Sequence, residues 1–174
     1  MLNTARLILR PFSASDGNDL HEYLSDPEVV KFEPYRPLTL EECHQEAERR
    51  AHDDAFIAVC LKGSGKLIGN IYFDRREYDA WELGFVFNSA YQGKGYAYES
   101  AREVLHNAFS VLGLRRVVAQ CNPQNERSWR LLERLGLRRE GHLKQNIFFW
   151  KDELGHPLWN DTYEYAMLSE EWKG

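Results

Sequence analysis

The sequence of 174 residues lacks several features that define specialised classes of protein. Its three cysteines, Cys43, Cys60 and Cys121, lie far apart and form no CxxC pair, so neither a zinc site nor a disulfide framework is predicted. No stretch approaches the roughly 18 consecutive apolar residues of a membrane span, and residues 1–7 show no long apolar core. These absences predict a protein without metal or membrane association, located in a reducing cytoplasm.

Positive charge is also in deficit, with 22 lysines and arginines against 27 aspartates and glutamates. Because affinity for nucleic acids comes mainly from basic side chains that neutralise phosphates, a net charge of -5 argues against a nucleic-acid partner. The arginine pairs at 75–76, 115–116 and 138–139 are scattered through the chain and indicate no basic patch. The acidic balance favours a cationic partner such as an amine or a basic peptide.

The features that are present are those of a globular protein, with 43% hydrophobic and 28% charged residues. Apolar periodicity predicts a β-α-α-β-β-β-α-β-α-β-β order of elements. The predicted strands lie at 7–9, 56–61, 67–73, 81–87, 116–121, 137–149 and 162–168, and the helices at about 13–24, 39–52, 98–112 and 125–135. With no internal repeat or linker, we predict one mixed α/β (α+β) domain over residues 1–174. Its central mixed, twisted sheet of about seven strands is flanked by helices.

The segment Gln92-Gly93-Lys94-Gly95-Tyr96-Ala97 joins a predicted strand to a predicted helix. Small residues at a helix N-terminus expose backbone N–H groups, which suits a phosphate. A dinucleotide fingerprint GxGxxG fails here because Tyr98 stands in place of its third glycine. A P-loop at Gly65-Lys66 fails because Cys60 and Leu67 stand where it needs glycine and serine or threonine. Both nucleotide-binding classes are thereby disfavoured, and the pattern QxxGxA remains.

QxxGxA is similar to the pyrophosphate-loop pattern (Q/R)xxGx(G/A) of the GCN5-related N-acetyltransferase family. The resemblance extends over nearly the whole chain, through the blocks ARLILRPF, LGFVFNSAYQGKGYAYES, NPQNERSWRLLERLGLRREG and YEYAML. Together these blocks resemble the branch that acetylates the N-termini of ribosomal proteins. The resemblance implies that an acetyl group moves from acetyl-CoA to a primary amine by direct attack in a ternary complex. The family's order of elements is also the one predicted above from periodicity.

The same resemblance implies where acetyl-CoA would bind. The backbone of Phe85, Val86 and Phe87 would pair with the pantetheine arm, in a splayed gap between the strands at 81–87 and 116–121. Gln92 and the amides of Gly93, Lys94, Gly95, Tyr96 and Ala97 would hold the pyrophosphate. Asn125 matches the family's asparagine that touches the pantetheine arm, although a helix cap would select the same residue.

Leu132 stands where many family members carry the tyrosine that protonates the leaving thiolate. Ser128, which is also a cofactor-contact candidate, matches the serine of the ribosomal-protein branch, with a secondary helix cap as the alternative. Glu82 is the first candidate base and Glu99 the second, although either would also suit a solvated or arginine-paired carboxylate. An α-amine with a pKa near 8 is about one-quarter neutral at pH 7.5, so it needs little help from a base.

The acceptor stays open between a protein N-terminus and a small-molecule amine. In the ribosomal-protein branch an acidic residue follows the Glu-Gly pair, whereas this chain has Asn146 and Ile147 there. Phe32, Tyr35, Glu82 and His142 are predicted to line the acceptor pocket, with core packing as the alternative for the aromatic residues. A CoA-binding module with little catalysis is the competing hypothesis. The oligomeric state is open too, a homodimer included.

Overall fold

The structure, a computed structural model, describes residues 1–174 as one eight-stranded sheet with helices on both faces. The strands are β1 (Leu2–Asn3), β2 (Leu7–Pro11), β3 (Phe56–Leu61), β4 (Leu67–Arg75), β5 (Ala80–Phe87), β6 (Arg116–Cys121), β7 (Arg138–Lys151) and β8 (Pro157–Leu168). The helices are α1 (Gly17–Leu24), α2 (Pro27–Val30), α3 (Leu40–Ala51), α4 (Tyr96–His106) and α5 (Glu126–Arg134). None of these helices is both long and apolar enough to cross a membrane.

The mixed α/β sheet fold predicted from the sequence is confirmed, with differences at the ends of elements. The short elements β1 and α2 are additional, and α2 begins with Pro27, a residue that suits the first position of a helix. The helix expected at 98–112 is α4, which starts at Tyr96 and passes into a π-helical turn, Asn107–Val111. β8 begins at Pro157 rather than at Thr162.

Local capping fixes the start of α3 as the sequence predicts. The Thr39 side chain accepts a hydrogen bond from the Glu42 amide at 3.3 Å. The Glu42 carboxylate accepts one from the Thr39 amide at 2.8 Å, which completes a capping box.

The two faces of the sheet carry separate apolar cores. On one face, α1 and α3 pack over β3 and β4, with Leu20, Tyr23 and Cys43 fully buried. On the other, α4 and α5 pack over the middle of the sheet around a larger cluster that includes Leu105 and Leu132. Because side chains alternate along a strand, β5 contributes to both faces. Phe85 and Phe87 point to the α4 side, while Glu82 and Val86 point to the α1/α3 side.

The strands β5 and β6 are parallel and separate partway along their length. Their pairing runs from Ala80 opposite Arg116 to Glu82 opposite Val118 and then stops. Beyond that point β5 continues paired only with β4 as far as Phe87, and β6 continues paired only with β8 as far as Cys121. A wedge-shaped gap therefore opens in the sheet between residues 83–87 and 119–121.

Candidate active site

The loop that follows β5 presents a bare helix N-terminus at the mouth of this gap. Gly93 and Gly95 have φ angles of 72° and 84°, a left-handed conformation that favours glycine. Gly95 is the N-cap of α4, and no side chain caps the helix there. The amides from Gly93 to Tyr98 donate to no acceptor within the chain. Consecutive free N–H groups at a positive helix end form a cradle for an anion.

Gln92 ties this loop to both walls of the gap. Its side-chain amide donates to the Phe87 carbonyl at the end of β5, at 2.9 Å. Its oxygen accepts a hydrogen bond from the Arg127 guanidinium on α5, the helix that follows β6, at 2.5 Å. The glutamine side chain therefore holds the loop in place, while the loop's own amides stay free.

A cavity of about 570 Å³ opens beside the loop, where Lys94, Gly95 and the outer surface of α4 meet the segment before β2. Arg6 lies at its edge, donating to the Lys94 carbonyl at 3.1 Å and to the Glu99 carboxylate at 2.7 Å. Burial raises the pKa of Glu99, but hydrogen bonds from Thr4 and Arg6 outweigh it and leave the pKa below its usual value. The second candidate base is thus held by two partners on the outer surface of α4.

The free amides and the gap together fit coenzyme A. A pyrophosphate needs donors in the position of the loop amides, and a pantetheine arm carries amide groups that can pair with a free strand edge. Residues 83–87 present such an edge on the β6 side, directly before the loop. The residues that the sequence assigned to the cofactor, Phe85 to Phe87 and Gln92 to Ala97, therefore form one continuous surface.

Asn125 and Ser128 lie on the β6 wall of the gap. The Asn125 side chain accepts a hydrogen bond from the Ser128 amide at 3.3 Å, so it caps α5. Burial raises the pKa of the Cys121 thiol to about 11, and a hydrogen bond with the Ser128 side chain opposes the rise. The hydroxyl of Ser128 thus faces the end of β6. Leu132, one turn further along α5, is buried and has no proton to give.

Glu82 lies at the closed end of the gap, at the last paired position of β5 and β6. Its carboxylate forms an ion pair with Arg76, and its side chain is 16% exposed. Beside it on the same face, the Tyr72 hydroxyl donates to Asp74 at 3.2 Å. Glu82 is therefore placed near the site, but its charge is partly neutralised by Arg76.

The predicted acceptor residues are divided between the two faces of the sheet. Tyr35 packs against the α1/α3 core, as does Val86 of β5, and burial raises the pKa of Tyr35 above its usual range. Its neighbour Glu33 is also buried enough to raise the pKa of its carboxyl group, partly offset by a hydrogen bond from Tyr35. Phe32 is half-buried in the same loop.

His142 is on the other face, with its ring centre 4.7 Å from that of Tyr163 in an edge-to-face contact and its Nε2 2.8 Å from the Asp161 carboxylate. Strand register places Cys121, Tyr163 and His142 side by side on β6, β8 and β7. His142 therefore shares the α5 face with Ser128, and Glu82 and Tyr35 lie across the sheet from them.

Sequence reasoning did not find the arginines around the loop, Arg6, Arg102, Arg127 and Arg134, nor Glu33. These residues are far apart in the chain and belong to no motif. Only the folding of α4 against α5 and β2 brings the arginines to one place. No group of three or more histidine, cysteine, aspartate or glutamate side chains is arranged to hold a metal ion.

Comparison with known proteins identifies the family. The family model described as acetyltransferase (GNAT) domain matches residues 6–138. The uncharacterized N-acetyltransferase YnaD of Bacillus subtilis is 38% identical over 98% of this chain and 98% of its own. The crystal structure of a GNAT-family acetyltransferase from Bacillus anthracis superposes with a TM-score of 0.89 at 36% identity, covering 98% of this chain and 99% of that one. The spermidine N(1)-acetyltransferase of Escherichia coli is 26% identical over 80% of this chain and 77% of its own.

The chain belongs to the GCN5-related N-acetyltransferases, and it is an acyltransferase that uses acetyl-CoA. The family resemblance and the cofactor predicted from the sequence are confirmed. The ribosomal-protein branch stays a prediction, as do the roles of the individual site residues.

Proposed function

We propose that the enzyme transfers the acetyl group of acetyl-CoA to the α-amino group of a protein or peptide N-terminus. The observation that carries this proposal is the weakness of the acid and base at the site. Leu132 replaces the usual acid, and the nearest carboxylate, Glu82, is held by Arg76. A lysine or polyamine amine is almost wholly protonated near neutral pH and needs a strong base, whereas an α-amine is about one-quarter neutral at pH 7.5. A site without a strong base therefore suits an α-amine.

Acetyl-CoA supplies the activated thioester, and the chain supplies position and polarity. The backbone amides of Phe85 and Phe87, which alternate with the β4-paired Val86, point into the gap and stabilise negative charge on the carbonyl oxygen. Ser128, on the opposite wall, donates a proton toward the departing sulfur. Glu82 receives the proton of the attacking amine through water at the closed end of the gap. The amine attacks the thioester directly, with both substrates bound.

An acceptor panel tests this proposal through the release of free thiol from acetyl-CoA. The panel contains a peptide with a free N-terminus and a lysine, the same peptide with its N-terminus blocked, and spermidine. We expect turnover with the free peptide, loss of turnover on blocking, and a rate that falls as pH drops below about 8, because the α-amine becomes protonated. Equal turnover of the blocked peptide would contradict the proposal. CoA binding without turnover on any amine would favour a binding module.

A small polyamine is the second candidate acceptor. The α1/α3 face beside the gap carries several carboxylates, Glu33, Asp74 and Glu82, in a chain of net charge -5. Such a face attracts a polycation, and the relative from Escherichia coli is named a spermidine acetyltransferase. A higher kcat/KM for spermidine than for the free peptide would establish this alternative.

A further inference from the structure

Two arginines beside the cofactor loop stand apart from the others in the chain. Arg102 on α4 and Arg134 at the end of α5 make no ion pair and no hydrogen bond with any other residue, whereas each of the remaining arginines makes at least one. Acidic residues outnumber basic ones in this chain, so carboxylate partners are plentiful. The two guanidinium groups have therefore been left free in one region of the surface.

Both arginines are nonetheless held in place by aromatic rings. The Arg134 guanidinium lies 4.1 Å from the centre of the Tyr98 ring, and that of Arg102 lies 6.0 Å from the centre of the Trp172 ring. A guanidinium that rests its flat face on a ring keeps its N–H edges available for an anion. The Tyr98 ring restricts the motion of the Arg134 guanidinium without using its hydrogen-bond donors, and Arg102 lies at the outer limit of such a contact with Trp172.

The position of the two arginines relates them to the loop. Arg102, Arg134 and Tyr98 line the same cavity of about 570 Å³ as Lys94 and Gly95. Arg102 follows Tyr98 by four residues on α4, so the two side chains lie on the same face of the helix whose N-cap is Gly95. The two guanidinium groups thus share a cavity with the loop whose amides fit a pyrophosphate.

The charge of the cavity also favours an anion. Its basic side chains are Arg6, Lys94, Arg102 and Arg134, and its acidic ones are Glu99 and Glu103. Glu99 is already paired with Arg6, so Lys94, Arg102 and Arg134 remain against the single carboxylate of Glu103. An excess of positive charge in a chain of net charge -5 marks a local binding site rather than the average surface.

We propose that Arg102 and Arg134 bind the 3′-phosphate of coenzyme A, and that the Tyr98 ring fixes the position of the Arg134 guanidinium. This phosphate is attached to the same ribose that carries the pyrophosphate, so it must lie one sugar away from the loop amides. A doubly charged phosphomonoester is a strong partner for guanidinium groups, which can bind it through paired N–H donors. The assignment rests on acetyl-CoA binding at the loop Gln92 to Ala97, and it adds a selectivity for CoA over 3′-dephospho-CoA.

Calorimetric binding of CoA and of 3′-dephospho-CoA tests the assignment without any acceptor. We expect the wild-type enzyme to bind CoA more tightly than the dephospho form. Arg102→Gln and Arg134→Gln should each weaken CoA binding by about tenfold and leave binding of 3′-dephospho-CoA unchanged. The double variant should bind both ligands alike. Arg134→Lys should keep part of the selectivity, because it keeps the charge but loses the paired donors.

Arg130→Gln is the matched control, since Arg130 is also on α5 but is paired with Glu126 at 2.9 Å. It should leave both affinities unchanged. If the double variant kept the wild-type selectivity, or lost affinity for both ligands equally, the assignment would be overturned while acetyl transfer would stand. Failure of the wild-type enzyme to bind either ligand would overturn the assignment and the placement of the cofactor together.

Discussion

The two halves of the active site are built from different parts of the chain. The cofactor half that we propose consists of main-chain groups, namely the free amides of Gly93 to Tyr98 and the free edge of β5. The acceptor half that we propose, around Tyr35, Glu82 and the β7–β8 hairpin that carries His142, consists of side chains. Phe148 and Trp159, which pack edge to face at 5.2 Å, are 39% and 50% exposed at the far end of the β7–β8 hairpin.

This difference explains why one half identifies the cofactor and the other leaves the acceptor open. Main-chain donors need glycine at defined positions, such as Gly95 with its φ of 84°, so the requirement is visible in a short segment of sequence. Side-chain pockets impose no such local rule, and many residue types can line them. The contrast predicts that changes to the cofactor half have large, general effects and that changes to the acceptor half have small, local ones.

The largest effect is expected for Gly95→Glu. The substitution places a side chain in a left-handed position and a negative charge in front of the pyrophosphate amides, so we expect CoA affinity to fall by about 1,000-fold, measured by calorimetry. Gly155→Glu is the matched control, because Gly155 has a similar φ of 83° at the tip of the β7–β8 hairpin, where a Cβ would meet nothing within 4 Å. Equal loss of affinity in both variants would show that the loop has no special role.

Ser128→Ala tests the catalytic part of the β6 wall. We expect kcat to fall by about 100-fold with KM for acetyl-CoA largely kept, because the hydroxyl acts on the leaving group rather than in binding. Steady-state kinetics with the best acceptor measures both constants. Ser110→Ala, at an exposed position in the π-helical turn that follows α4, should change neither. An unaltered kcat in Ser128→Ala would remove this serine from the mechanism.

Gly69→Ala tests how β4 supports the β5 edge. A Cβ atom at this position would lie 2.5 Å from the Phe87 ring and 2.7 Å from the Val86 carbonyl oxygen, so neighbouring main chain must move. We expect the free energy of unfolding to fall by about 1–3 kcal/mol, with a lower Tm in thermal denaturation. Gly63→Ala meets nothing within 4 Å and serves as the control. A Tm as high as that of Gly63→Ala would contradict this packing.

The smallest effect is expected in the acceptor half, from Asp161. Hydrogen bonds from the Gln145 amide, Lys144 and His142 lower the pKa of Asp161 from its usual 3.8 to about 2. Because its pKa in the folded state is depressed, the carboxylate stabilises the hairpin above about pH 4, and this stabilisation is lost as pH falls toward 2. Asp161→Asn should therefore reduce the pH dependence of stability over that range, measured by denaturant unfolding.

Glu153→Gln is the control for this comparison, since Glu153 is exposed near the hairpin turn and makes no hydrogen bond. It should leave the fall in the free energy of unfolding at acid pH unchanged. If Asp161→Asn lost stability at acid pH in the same way as the wild-type protein does, the carboxylate would contribute nothing to the hairpin.

Much of the fold could be predicted because its signals are local. The helix-capping box formed by Thr39 and Glu42 depends on residues a few positions apart, and so does the apolar periodicity of α4 and α5. Elements β1 and α2 were not predicted, because two to four residues carry no periodicity. The first part of β8 was also missed, since it contains the polar residues Asn160 and Asp161 and none of its residues before Thr162 is fully buried.

The candidate site follows the same rule. The cofactor loop could be placed because glycine spacing and the following helix are adjacent in the chain. The arginine pair could not, because Arg134 meets Tyr98 only after α5 packs beside α4. An arginine partner for Glu82 was one of the alternatives drawn from the sequence. The sequence could not name Arg76, because the pair depends on the turn between β4 and β5, and this pairing reduces the value of Glu82 as a base.

The most direct test of the account is an NMR titration of the labelled enzyme with CoA, following the backbone amides. We predict that the largest shifts occur at Gly93, Gly95 and Ala97, whose amides are free in the chain, with further shifts at Phe85 to Phe87. Amides of the hairpin tip, such as Gly155, should stay in place. Large shifts at the hairpin with an unchanged loop would contradict the claim that main-chain donors hold the cofactor.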